Sequence, residues 1–151
     1  MTMTGTSIRS IRFVLLLSLA PMLGCDTLSG FLLPSTTTVD LVNNGDFPVD
    51  VTLYYDDQQE TPEFLLTEIG RRLDVTVDPG DTVNFTRNCD ELQVIVIDDA
   101  DLRIIGGIGP ETSSDVLRDG SDFTCGSRIV FTFDHTDLIT DFHVNATVTP
   151  F

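Results

Sequence analysis

An all-β fold, a single antiparallel β-sandwich, is what this sequence predicts, on three observations. Apolar residues recur with a period of two in segment after segment, turn residues separate those segments, and one stretch alone breaks the pattern. The chain has 151 residues, within the range of about 100–200 expected of one domain. Its 41% hydrophobic content fills a core and excludes a low-complexity chain.

In order along the chain, Val39 and Leu41 alternate with polar residues, and Asn43-Asn44-Gly45-Asp46 reads as a turn. Val49, Val51, Leu53 and Tyr55 then alternate with Asp50, Thr52 and Tyr54, which predicts a half-buried strand. Thr61-Pro62-Glu63, followed by Phe64-Leu65-Leu66, Ile69 and Gly70, breaks the period. With Thr61 as N-cap, proline at the first helical position and glycine past the end, it predicts a two-turn helix near 62–69, the alternative being a crossover loop with a short edge strand. Leu73, Val75 and Val77 resume the alternation and stop at Asp78-Pro79-Gly80-Asp81. Val83 and Phe85 follow. Leu92 to Ile97 is apolar at nearly every position, which suits a central strand covered on both faces. Leu102 to Ile105 predicts a short strand closing on Gly106-Gly107. Ile129, Phe131 and Phe133 predict another, and Phe142, Val144, Ala146 and Val148 the last. The count is about eight strands, the number of an immunoglobulin-like or Greek-key sandwich.

The first 24 residues are read as an address rather than a fold element. Arg9 and Arg12 precede the apolar run Phe13–Leu23, which at 11 residues falls short of the roughly 20 that span a bilayer as a helix. A basic start, a short apolar stretch and a small residue before the cut form a secretory signal. Its end, Met22-Leu23-Gly24-Cys25, resembles the lipobox of bacterial lipoprotein precursors, with Met22 where leucine is usual. The resemblance implies that Cys25 is joined to diacylglycerol and becomes the first residue of the mature chain. The mature protein is then exported and lipid-anchored to a bacterial cell-envelope membrane. Two or three acyl chains, at about 0.8 kcal/mol per buried CH₂, hold durably where one is marginal. Asp26 resembles the inner-membrane retention signal of some enteric bacteria, a rule that does not carry across all bacteria; which membrane stays open. The organisation expected is signal peptide 1–24, lipidated tether 25–38 and sandwich 39–151. No family is recognised for the folded domain.

Cysteine parity points the same way. The chain has three, Cys25, Cys89 and Cys125, and an odd cysteine in an exported protein demands an explanation. With Cys25 lipidated, Cys89 and Cys125 are left to pair, the alternative being two free buried thiols. Closing the 35 residues between them is worth about 3–4 kcal/mol in the loop-entropy treatment. Neither has the CxxC partner of redox or zinc chemistry.

Charge is the strongest compositional signal. There are 24 acids and 8 basic residues, all arginine, so a nucleic-acid partner is excluded for want of cations to displace counterions. Removing residues 1–24 takes Arg9 and Arg12, so 24 acids face six arginines and the mature charge is −18. Abundant Asp without Lys resembles the proteins of salt-adapted organisms, whose self-repulsion is screened at high salt. A merely acidic exported protein is the other reading. Calcium is the ion that Asp-rich turns at the sandwich ends can hold, with solvated turns the preferred reading. The candidates are Asp98-Asp99-Ala100-Asp101 and Asp115 with Asp119-Gly120-Ser121-Asp122, though neither has EF-hand spacing. A His₂/carboxylate site is conceivable from His135 and His143 with Asp134, Asp137 and Asp141 near their hairpin.

Catalytic frames are absent from the sequence. There is no Gly-x-Ser-x-Gly elbow, and Gly106-Gly107-Ile108-Gly109 lacks the Lys of a phosphate loop and suits a sharp turn. Asn84-Phe85-Thr86 and Asn145-Ala146-Thr147 match the glycosylation acceptor by chance in a Thr-rich chain. The expected role is therefore non-catalytic: binding, adhesion or structural service at a membrane, with no cofactor. A calcium-dependent ligand-binding module is the alternative, and a metal-dependent enzyme around His135 and His143 the third.

Overall fold

The computed structural model describes residues 34–104, 109–135 and 139–150. The signal peptide, Cys25 and the tether to residue 33 lie outside the described residues, as does Asp137. The elements are β1 (Thr36–Asn43), β2 (Val49–Asp56), α1 (Glu63–Ile69), β3 (Arg71–Val77), β4 (Thr82–Asn88), β5 (Val94–Leu102), β6 (Glu111–Thr112), β7 (Leu117–Arg118), β8 (Arg128–Asp134) and β9 (His143–Thr149). One sheet runs β4-β1-β8-β9. The other runs β3-β2-β5-β6, with β7 also paired to β5. The two form the sandwich that the period-two segments predict. One pairing departs from the antiparallel rule: β1 and β8 run parallel.

Alternation decides which side chains meet between the sheets. β2 is buried at Val49, Val51, Leu53 and Tyr55 and half-exposed between them. β8 does the same with Ile129, Phe131 and Phe133, and one core joins these to Val39, Leu41, Ile95 and Ile97. β5 is covered on both faces, as a continuous apolar run requires. Ile95 and Ile97 point into the core, while Val94 and Val96 pack under Leu66 of α1 on the outer side.

A β-bulge separates the two halves of β5. Thr52 pairs with Asp99 but Leu53 with Ile97, so Asp98 is the extra residue. The extra residue inverts the phase of the strand. Downstream of it, Ala100 and Leu102 enter the core, and Asp99 and Asp101 turn to the outer face.

Several sequence expectations are corrected here. Asp98, Asp99 and Asp101 lie within a strand rather than a turn, because the bulge lets β5 continue through them. Leu102 ends β5, so no separate strand begins there; Arg103 and Ile104 are irregular, and Ile105 to Ile108 lie outside the described residues. The helix begins at Glu63 with Pro62 in the cap position and no side-chain cap. Thr61 does not cap it because its hydroxyl donates to Asp56 Oδ2 at 2.9 Å. β1 starts at Thr36, and Thr36–Thr38 pair with Asn88–Thr86.

The turns are tied together at Asn43, which is buried at the end of β1. Its Nδ2 donates to Phe47 O at 2.8 Å and Val77 O at 2.9 Å, while its Oδ1 accepts from Gly45 N at 2.9 Å. Its backbone exchanges bonds with Gly80 and Asp81 in the next turn. Gly80 has φ +74°, a left-handed conformation that glycine adopts without penalty.

At the opposite end of the sandwich Cys89 and Cys125 form a disulfide, with Cα atoms 5.3 Å apart. Cys89 follows β4 and Cys125 precedes β8, the two strands that flank β1. Cys89 N donates to Ser35 O at 2.9 Å, so the chain joins β1 beside this bridge. Among the described residues, no helix is long and apolar enough to cross a membrane.

Candidate functional site

The outer face of the β3-β2-β5-β6 sheet gathers the acids. Alternation that buries Val49, Val51 and Leu53 turns Asp50 and Thr52 outward, and the same rule on β3 exposes Asp74 and Thr76. With Asp101 and Arg103 they line an open hollow of about 340 Å³. Two carboxylates here are tied down. Thr76 Oγ1 donates to Asp50 Oδ1 at 2.6 Å, and Arg103 pairs with Asp50 Oδ2. Thr52 Oγ1 and Arg72 Nε donate to Asp74 Oδ1 at 2.9 and 2.8 Å. The hydrogen bond from Arg72, then that from Thr52, holds the Asp74 carboxyl below the usual carboxylate range.

Beside this hollow, Asp99, Asp101 and Glu111 bring one carboxylate oxygen each within 4.8 Å of one another. Asp99 and Asp101 reach the face through the bulge, and Glu111 arrives by pairing with Asp101 across β5 and β6. Sequence reasoning named the first two and missed Glu111. The five ion pairs among the described residues use none of the three. Partial burial, and next the charge of Asp101, pushes the Asp99 carboxyl above its ordinary value. Three crowded carboxylates repel; a divalent cation, a proton or screening salt relieves them.

Among the described residues the other candidates are not assembled. The Asp122 carboxylate accepts from Arg118 N at 2.8 Å and Ser121 Oγ at 3.1 Å, capping its own turn, while Asp115 stands exposed. The second calcium candidate is thus a solvated turn. His135 faces the β1–β2 turn, where Asp46 N donates to its Nε2 at 3.2 Å. His143 opens β9 opposite Asp134, with Nδ1 2.7 Å from Asp141 O. Among the described residues, to which Asp137 does not belong, no three-ligand set forms around the histidines.

Arginines are engaged elsewhere in the fold. Arg87 Nε donates to Tyr55 OH at 2.9 Å, with its guanidinium 5.2 Å from the Phe85 ring centroid. Arg118 donates to the Gln59 and Thr61 carbonyls, fastening the segment before α1 to β7. With 24 acids against 8 arginines the chain is strongly negative. Raising NaCl from low concentration to about 1 M shortens the Debye length to about 3 Å. The melting temperature is expected to rise by on the order of 10 °C; a flat calorimetric profile would count against self-repulsion as a determinant of stability.

No family model matches the chain, and no curated protein does. Among solved structures it is similar to the type VI secretion lipoprotein TssJ1 from Pseudomonas aeruginosa, at 14% identity and a TM-score of 0.47, over 78% of this chain and 98% of that one. It is also similar to a protein from Eubacterium rectale, at 16% identity and a TM-score of 0.44, over 74% of this chain and 87% of the other. Likenesses of this size leave the functional reading to the chain's own residues.

Proposed function

We propose that the chain is the precursor of a cell-envelope lipoprotein, anchored to a membrane through lipid on Cys25, whose sandwich has a non-catalytic binding, adhesion or structural role. One observation carries this reading. The chain has three cysteines, and Cys89 and Cys125 are joined to each other. Cys25, which ends Met22-Leu23-Gly24-Cys25, is then the odd thiol that the lipid accounts for. The short run Phe13–Leu23 before it supports a cleaved leader rather than a span.

Labelling cells with alkyne-palmitate tests it. The wild-type chain is expected to take the label and to begin at Cys25 by intact mass, and Cys25→Ser to take none. An unlabelled wild type, or an N-terminus upstream of residue 25, would refute the anchor.

A second reading, the calcium-dependent module, is favoured by the convergence of Asp99, Asp101 and Glu111. It ranks below the first because calcium takes six to eight oxygens and these carboxylates sit on an open face. In the salt titration above, calcium at a hundredfold excess over its dissociation constant adds about 2.7 kcal/mol of stability. No shift beyond that of sodium at equal ionic strength, up to millimolar calcium, would remove this reading.

A further inference from the structure

Among the described residues the exposed large hydrophobic side chains are Phe64, Leu65 and Ile69, at 69, 37 and 71% exposure, and all three lie on α1. The helix has its anchoring residue already, since Leu66 is fully buried against Val94 and Val96. Phe64, Leu65 and Ile69 belong to neither core cluster. Leu65 and Ile69 are one turn apart and form a single ridge. At about 100° per residue, Glu68 falls between Phe64 and Leu65 around the helix, one turn further on. Glu63 and Glu60 flank the patch and are exposed. None of the ion pairs in the described residues uses Glu60, Glu63 or Glu68.

A clustered apolar patch on an otherwise acidic surface marks an interaction site, and the acid within it selects the occupant. An anionic bilayer surface would repel the exposed carboxylates of Glu60, Glu63 and Glu68 that lie around and within the patch. A second copy would bring like charges face to face. A protein that offers an apolar pocket with a Lys or Arg inside it satisfies both the hydrophobic surface and the carboxylate.

We propose that Phe64, Leu65 and Ile69, with Glu68 among them, form the surface by which the domain docks a protein partner presenting an apolar pocket that contains Lys or Arg. This rests on the binding role proposed above, and gives it a location and a chemistry.

The test is site-specific photo-crosslinking in the envelope of the producing cells. Benzoylphenylalanine replaces Phe64 in the full chain, and Asn145, on exposed β9, is replaced as the control. Position 64 is expected to yield a protein adduct whose attachment site is apolar with Lys or Arg beside it, and position 145 not to yield it. Glu68→Lys, which leaves the apolar side chains in place, should reduce that adduct at least tenfold. An adduct to lipid, to a second copy of this chain, to a segment without cations, or insensitive to Glu68→Lys overturns the proposal, as does no adduct. Palmitate labelling of the same samples separates the two readings: a labelled chain without the adduct refutes the docking surface alone, and an unlabelled chain refutes the anchor.

Discussion

Replacing both Cys89 and Cys125 with serine is expected to lower the unfolding free energy by about 3–4 kcal/mol, the loop-closure value for the separation involved. The bridge spans 36 positions and encloses β5, β6 and β7. Without it, β4 and β8 keep their ladders to β1 and their share of the core, but the unfolded chain regains the freedom of the whole intervening segment. For a domain of this size the loss corresponds to a fall of about 10–15 °C in melting temperature. Urea unfolding of the double variant, beside the wild type with and without reductant, measures it. The reduced wild type should match the variant. Equal midpoints for oxidised wild type and variant would mean that the bridge contributes nothing to stability.

Removal of a single cation on the neighbouring strand is expected to cost nearly as much. Asp40 sits on the outer side of β1, yet is 2% exposed, because Arg128 of β8 lies against it and donates to Asp40 Oδ2. The arginine's own side chain is 63% exposed, against 3% for the aspartate. Asp40 Oδ1 has no hydrogen-bond partner in the described residues, so this guanidinium is what compensates the buried charge. Arg128→Ala is expected to destabilise by about 3 kcal/mol, since it strands a buried carboxylate. Asp40→Asn should cost less, about 1 kcal/mol, because the cation it releases already reaches water. Chemical denaturation of both variants checks the order. Asp40→Asn the more harmful of the two would show that the carboxylate's packing, rather than its charge, matters.

Much of the fold was legible because half-burial writes itself into the chain. On β2, β3, β4, β8 and β9 one face meets the core and the other meets water, so polarity alternates. The run Leu92 to Ile97 announced a strand covered on both sides, which the structure begins at Val94, since α1 replaces water there. What escaped detection involved partners distant in sequence. Asp98-Asp99-Ala100-Asp101 has the composition of a turn, and only pairing with β2 through a bulge keeps it extended. β6 and β7, two residues each, are too short to carry a period. Asp40 looks like any solvent-facing residue, for its burial comes from an arginine 88 positions away.

The candidate site was half legible for the same reason. Asp99 and Asp101 stood out as a local cluster. Glu111 did not, because it joins them through a register rather than a spacing. A signal did exist: Gly106-Gly107 lies midway between Asp101 and Glu111, as a chain reversal bringing those two residues opposite each other requires. The apolar side of α1 was hidden differently. Phe64-Leu65-Leu66 and Ile69 read as core-forming, and nothing local distinguishes Leu66, which is buried, from its neighbours, which are not.

The position of β1 matters if the domain hangs from its first strand. β1 lies inside its sheet, with seven residues in register with β4 and six with β8. Tension arriving through Pro34 would run along that strand and load both ladders in shear, so that many bonds must yield together. A domain suspended instead by an edge strand such as β9 could be peeled away one bond at a time. In that arrangement drag on the folded part would be met by two ladders together rather than by one.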